Sequence, residues 1–160
     1  MASSLKNLST SEAKNIGNVA GKRFGIVVTT YHTDITYALL AACKQTLLQH
    51  GASEKLITVN YAPGAFELPL SAQWLLQQPQ YDAVICIGCV ITGETKHDDY
   101  INNAVAQAIM NLGLKHNKPC IFGLLTPRNH QQALDRAGGK HGNKGIEIAL
   151  AAIQMLILKP

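Results

Sequence analysis

Strand-like and helix-like segments alternate four times along this chain, and that alternation leaves few folds open to it. FGIVVTT (Phe24 to Thr30), LITVNYA (Leu56 to Ala62), the run from Ala83 to Ile91 and CIFGLL (Cys120 to Leu125) are apolar, β-branched and too short for helices. Each reads as a buried strand. Between them, apolar residues recur at helical spacing. The first such stretch is predicted to begin with Asp34 as its cap, to bury Ile35, Ala38, Leu39, Ala42, Cys43 and Leu47, and to stop at His50-Gly51. The second lies within Ala65 to Gln78, helical from Leu68 through Leu75 and Leu76, with Pro69 near its first turn. A third runs from Asp98 to Leu114, carrying Ile101, Val105, Ala108, Ile109 and Leu112 on one face. Beyond the last strand, Asn129 and Gln132 have the spacing of a capping box for a short helix to Ala137, ended by Gly138-Gly139. Ile146 to Leu158, apolar on most sides, is predicted to close the fold as a helix buried against both the sheet and a neighbour. Parallel strands joined by helical crossovers satisfy this order, so the expected fold is α/β: a three-layer α/β/α sandwich on a four-stranded parallel sheet.

At 160 residues, with 47% hydrophobic and 15% charged residues, the chain is expected to be one globular domain over residues 21–160 behind a polar leader, residues 1–20. The leader is expected either to be partly disordered or to add an edge strand to a neighbour. No run approaches the roughly 18 to 20 apolar residues of a membrane span, and the first residues lack the apolar centre of a signal peptide. The expected compartment is therefore the cytoplasm, with no membrane partner. Of the net charge of +4, Lys6, Lys14, Lys22 and Arg23 against Glu12 place +3 in the first 23 residues and leave +1 for the rest. That balance argues against a nucleic-acid surface. Cys43, Cys86, Cys89 and Cys120 sit within apolar runs, as free thiols would in a reducing compartment. Cys86 and Cys89 spell C-x-x-C, but a separation of three on a strand sends the sulfurs to opposite faces, so they are expected to be core residues.

In open parallel sheets, ligands sit beyond the carboxyl ends of the strands. Those places are Tyr31-His32, Pro63 to Glu67, Gly93 to His97 and Thr126 to Asn129. GETKHDDY, Gly93 to Tyr100, is the strongest local signal, because Thr95 and Asp98 match a capping box that would make Gly93, Glu94 and Thr95 the mouth of the third helix. Amides there could bind a phosphate, or could simply face water. His97, in the same turn, is either a proton shuttle or a surface histidine beside Asp98 and Asp99. Arg128, Arg136, Lys140, His141 and Lys144 form a second basic neighbourhood against Asp135 alone. GGKHGNKG within it fails the Walker pattern, since Asn precedes and Gly follows Lys144, which argues against nucleotide triphosphates. Arg136 could still offer a bidentate fork to a phosphate and Lys144 a mobile charge, or both could belong to a solvated turn. Pro63-Gly64-Ala65-Phe66-Glu67 puts a tight turn, an aromatic ring and a carboxylate after a strand, while Tyr31 and Phe122 are either ligand-facing aromatics or core.

Tyr31, PGAFELP, GCVITGETKHDDY, IFGLLT and QALDRAGGKHGNKG, in this order, resemble the 6,7-dimethyl-8-ribityllumazine synthases of riboflavin biosynthesis, from about Gly21 to Leu156. The resemblance implies a flavodoxin-like sandwich and condensation of 5-amino-6-(D-ribitylamino)uracil with 3,4-dihydroxy-2-butanone 4-phosphate, releasing phosphate and water without metal or organic cofactor. It implies Tyr31 as the ring-stacking aromatic, Ala65, Phe66, Glu67, Cys89, Val90 and Ile91 as pyrimidine and ribityl contacts, and Glu94 and Thr95 with Arg136 for phosphate. His97 becomes the acid/base, while Phe122 and Lys144 complete the pocket from an adjacent subunit. Homopentamers, sometimes built into icosahedral shells, are implied as well, with riboflavin synthase as a further partner. Three positions depart from the common pattern: Thr92 for Arg, His32 for Asn and Asp98 for an aromatic. The Thr92 departure removes a cation near the phosphate. A catalytically silent shell or flavin-binding protein of the same fold is the main rival, and the joint presence of His97, Arg136 and Lys144 speaks against it. A flavodoxin or receiver switch would need an FMN loop or a phosphoacceptor Asp after the first strand, and neither appears.

Overall fold

The apolar runs line up as one parallel sheet in the computed structural model, which describes residues 16–160. β1 (Phe24–Thr29), β2 (Ile57–Ala62), β3 (Ala83–Cys89) and β4 (Cys120–Leu125) stand in the order β2-β1-β3-β4. Ile26 lies opposite both Val59 and Ile85, and Ile85 in turn opposite Ile121. Every residue of the central strands β1 and β3 is buried, because helices cover both faces and no polar alternation is needed.

Those helices are α1 (Thr33–Gln49), α2 (Leu68–Leu76), α3 (His97–His116), α4 (His130–Arg136) and α5 (Lys144–Leu158). The strand period of two sorts the core. Ile26, Val28, Ile85 and Ile87 meet Leu39, Cys43 and Leu47 of α1 and Ile148, Ala152 and Ile153 of α5. Val27, Val84 and Cys86 meet Leu68, Ala72 and Leu75 of α2 and Val105, Ile109 and Leu112 of α3. The expected three layers are therefore present. Gly145 lets α5 approach α1, since a Cβ there would run into the Leu39 carbonyl. Cys86 and Cys89 fall in opposite layers, as the strand argument requires, and all four cysteines are free thiols.

Several local expectations are corrected. Asp34 is not the cap of α1: His32 holds that place with a left-handed backbone, and Asp34 sits in the first turn, its carboxylate 2.7 Å from His130 Nε2. The Thr95/Asp98 capping box does not form. Lys96 is the N-cap of α3, in a conformation that no side chain caps, and Asp98 is buried in the first turn instead of reaching back. Thr95 accepts only a long 3.4 Å bond from the His97 amide. β3 leaves the ladder after Cys89, two residues before the predicted end at Ile91, and α2 follows a single 3₁₀ turn at Ala65–Glu67. Gly138 and Gly139 do end α4, but within a small hairpin of β5 (Ala137–Gly139) and β6 (Gly142–Asn143) that the sequence reading lacks.

By contrast, Asn129 caps α4 as expected, accepting from the Gln132 amide at 3.0 Å, while Gln132 Oε1 accepts from the Arg128 amide at 2.9 Å. Val19, placed with the leader on sequence, is buried and bonds the His50 carbonyl through its amide at 2.9 Å. Residues 1–15 of the leader lie outside the described residues. Among the described residues no helix is long and apolar enough to cross a membrane.

Candidate active site

From β1 the chain crosses to β2 on one side, and β3 lies on the other, so a crevice opens where the winding reverses. An open cleft of about 750 Å³ occupies this place. Three strand ends and one helix start build it. Tyr31 and His32 follow β1, Gly64 to Glu67 follow β2, and Cys89, Val90 and Ile91 carry the chain out of β3. Gly93, Thr95, His97, Asp98, Tyr100 and Ile101 close it from the approach to α3 and its first turns.

Each wall has a local cause. The turn after β1 is pinned by Thr36, whose hydroxyl donates to the Thr29 carbonyl at 2.9 Å from one turn into α1. At the far side, the Thr92 amide donates to the Pro127 carbonyl at 3.0 Å, joining the segment after β3 to the one after β4. Tyr31 and Phe66 are 67% and 62% exposed, which settles their role against core packing. His97 opens α3, so its own amide and those of Asp98 and Asp99 lie in the first turn, at the positive end of the helix dipole.

Of the residues singled out on sequence, Tyr31, Ala65, Phe66, Glu67, Cys89, Val90, Ile91, Thr95 and His97 line this one cleft. Glu94, Phe122, Arg136 and Lys144 do not line it within one chain. Arg136 donates through Nη1 to the His141 carbonyl at 2.7 Å and through Nη2 to Glu147, whose other oxygen accepts from Lys144 Nζ at 2.9 Å. A carboxylate thus couples the two cations. Nearby, Asp135 is held below the usual carboxylate range by a hydrogen bond from Gln131 and by the Lys140 ammonium.

Sequence reasoning put His32 beside a strand end and Asp98 and Tyr100 within GETKHDDY, but gave no site role to these three or to Ile101, all of them cleft walls. A signal for the last two was present. Positions three and four after His97 share its helix face, so Tyr100 and Ile101 follow from spacing alone once His97 is placed on a helix. Which way Asp98 and His32 face depends on how the chain enters α3 and α1, which spacing does not give. Among the described residues no three His, Cys, Asp or Glu side chains are grouped as metal ligands would be.

Cys89 lines the cleft as a buried thiol. Burial, and then the Asp34 carboxylate, push its thiol up to about 12, and burial alone does the same to Cys43. Both therefore keep their protons in the folded state well above the ordinary thiol value, while the unfolded chain ionises earlier. Iodoacetamide at mildly alkaline pH is expected to leave both unmodified in the native protein and to alkylate them after denaturation, as read by peptide mass spectrometry. Fast native labelling of either would contradict this placement.

The model of the 6,7-dimethyl-8-ribityllumazine synthase family matches residues 21–159. A 6,7-dimethyl-8-ribityllumazine synthase of Cytophaga hutchinsonii is 51% identical over 98% of both chains. One of Phocaeicola vulgatus is 43% identical over 99% of this chain and 95% of its own, and one of Parabacteroides distasonis 42% identical over 98% of both. A sandwich on a four-stranded parallel sheet agrees with these matches, which span nearly the whole chain. The chain belongs to the 6,7-dimethyl-8-ribityllumazine synthase family, transferases of small-molecule substrates at the penultimate step of riboflavin biosynthesis.

Proposed function

We propose that the cleft at the carboxyl edge of the sheet holds 5-amino-6-(D-ribitylamino)uracil and 3,4-dihydroxy-2-butanone 4-phosphate and condenses them to the lumazine, phosphate and water. One observation carries this reading: Tyr31, Ala65 to Glu67, Cys89 to Ile91 and His97 share a single cavity although they come from separate strand ends. Tyr31 stacks on the pyrimidine, while the Ala65–Glu67 turn and the Cys89–Ile91 segment contact that ring and its ribityl chain. Phosphate lies by Glu94 and Thr95, against the first amides of α3.

The chemistry needs proton movement more than a protein nucleophile. The substrate's primary amine attacks the ketone, the carbinolamine loses water, the C–O bond to phosphate breaks, and the ribitylamino nitrogen closes the ring on the carbonyl so formed with loss of a second water. His97 takes and returns the protons. Amides of α3, together with Arg136, stabilise the charge that develops on the departing phosphate. Holding two substrates in one cleft supplies much of the remaining acceleration.

Arg136, Lys144 and Phe122 act in this reading in the cleft of an adjacent copy, within a homopentamer or a larger cage. Exposed Leu70, Trp74, Met110, Leu114 and Leu158 support such assembly, because a monomer rarely leaves so many large apolar side chains in water. Residues 21–160 form the catalytic domain. Four reduced cysteines suit the cytoplasm, and riboflavin synthase, as consumer of the product, is the natural partner there. Mixing the purified protein with both substrates should give lumazine absorbance and fluorescence in step with phosphate release, and neither when one substrate is omitted. A rate no faster than that of the substrates alone would overturn the reading.

A further inference from the structure

The turn from β1 into α1 sets the α1 cap, His32, on the cleft wall. His32 adopts φ 54° and ψ 55°; among the described residues the only other non-glycine residue with positive φ is Asn117, at the end of α3. Such a conformation is uncommon for a side-chain-bearing residue and persists where surroundings impose it. Here the imposition is visible: the His32 carbonyl accepts from the amides of Ile35 and Thr36, both at 2.9 Å, and so starts the helix. The backbone is therefore fixed, and with it the direction in which the His32 side chain leaves the chain. That ring stands 5.2 Å from the Tyr31 ring, centroid to centroid, at 85°, and both residues line the cleft.

We propose that His32 is a positioning residue for the pyrimidine substrate, its ring meeting that of Tyr31 edge to face and holding Tyr31 in the one orientation that offers a face to the incoming heterocycle. Tyr31 needs such a hold. It is 67% exposed, so little packing restrains it. An unrestrained ring would lose rotamer freedom on binding, at a cost in affinity, whereas a ring already held does not. An edge-to-face pair has the strength for this task. The inference rests on the reading that Tyr31 stacks on the pyrimidine.

His32→Gly separates ring from backbone, since glycine adopts a positive φ without strain. The KM for 5-amino-6-(D-ribitylamino)uracil should rise about three- to tenfold, the size expected for losing one aromatic contact. Its kcat and the KM for the butanone phosphate should stay within about twofold of the parent, because neither depends on that contact. His32→Phe should restore the pyrimidine KM while lowering the melting temperature, because a bulky residue is strained at this φ. Tyr31→Leu serves as the control and should raise the same KM. If Tyr31→Leu raises it and His32→Gly does not, the positioning role is overturned and stacking stands. Failure of His32→Phe to restore it, or an equal rise for both substrates in His32→Gly, also overturns the role. If Tyr31→Leu itself leaves the KM unchanged, the stacking reading falls and the positioning role falls with it.

Discussion

Replacing His97 by alanine is expected to lower kcat about 10- to 100-fold while the protein folds and assembles as before. General acid–base groups contribute about 10²- to 10⁴-fold in many enzymes, and the contribution here falls at or below the bottom of that range because the substrate amine is already nucleophilic. His97 opens α3 on the cleft wall, and the core of that helix is built by Val105, Ile109 and Leu112, several turns away. The imidazole can therefore be removed without disturbing what α3 buries. Steady-state kinetics with both substrates, beside sedimentation of the variant, checks the two halves together. An unchanged condensation rate would remove His97 from the mechanism, and a dissociated or unfolded variant would show that it is a structural residue.

Arg136→Ala is expected to raise the KM for the butanone phosphate about 10- to 100-fold, and that for the pyrimidine far less, the loss appropriate to a charge-assisted hydrogen bond pair. In one chain the guanidinium lies against Glu147 and the His141 carbonyl, away from His97's cleft. The prediction therefore has a second part. If Arg136 serves a neighbour's cleft, co-expressed His97→Ala and Arg136→Ala chains will form mixed assemblies in which about one site in four draws both intact residues from different copies. Activity at low butanone phosphate should then recover to about a quarter of the parent's, above that of either variant alone. Absence of any recovery, with mixed assembly verified by mass spectrometry, would mean that each chain works with its own Arg136 or with none.

Much of the site could be read from residue order. Tyr31, Ala65 to Glu67 and His97 lie just after β1 and β2 or at the opening of α3, so placing the strands placed them, whereas Cys89 to Ile91 read as strand and came to the site only through the family resemblance. Boundaries were less legible where a cap depends on backbone conformation. Asp34 and Thr95 are good capping residues by type, yet α1 begins from a left-handed His32 and α3 from an uncapped Lys96. Asn129, by contrast, has the extended backbone that its capping role requires, and there the sequence signal and the geometry agree.

What residue order determined is the alternation of buried strands and amphipathic helices, and with it the parallel sheet, its layers and the edge where a ligand must sit. These follow from short-range periodicity, which is fully present in the chain as written. Only the tertiary structure decided which charges face one another. Lys144 and Arg136 read as a pair of free cations, but the hairpin after α4 and the first turn of α5 bring Glu147 between them, 11 residues from Arg136 in sequence. Likewise, only the close packing of the β1–α1 turn set the His32 ring against Tyr31. Coulombic and aromatic contacts depend on distances in space, and spacing along the chain does not encode them.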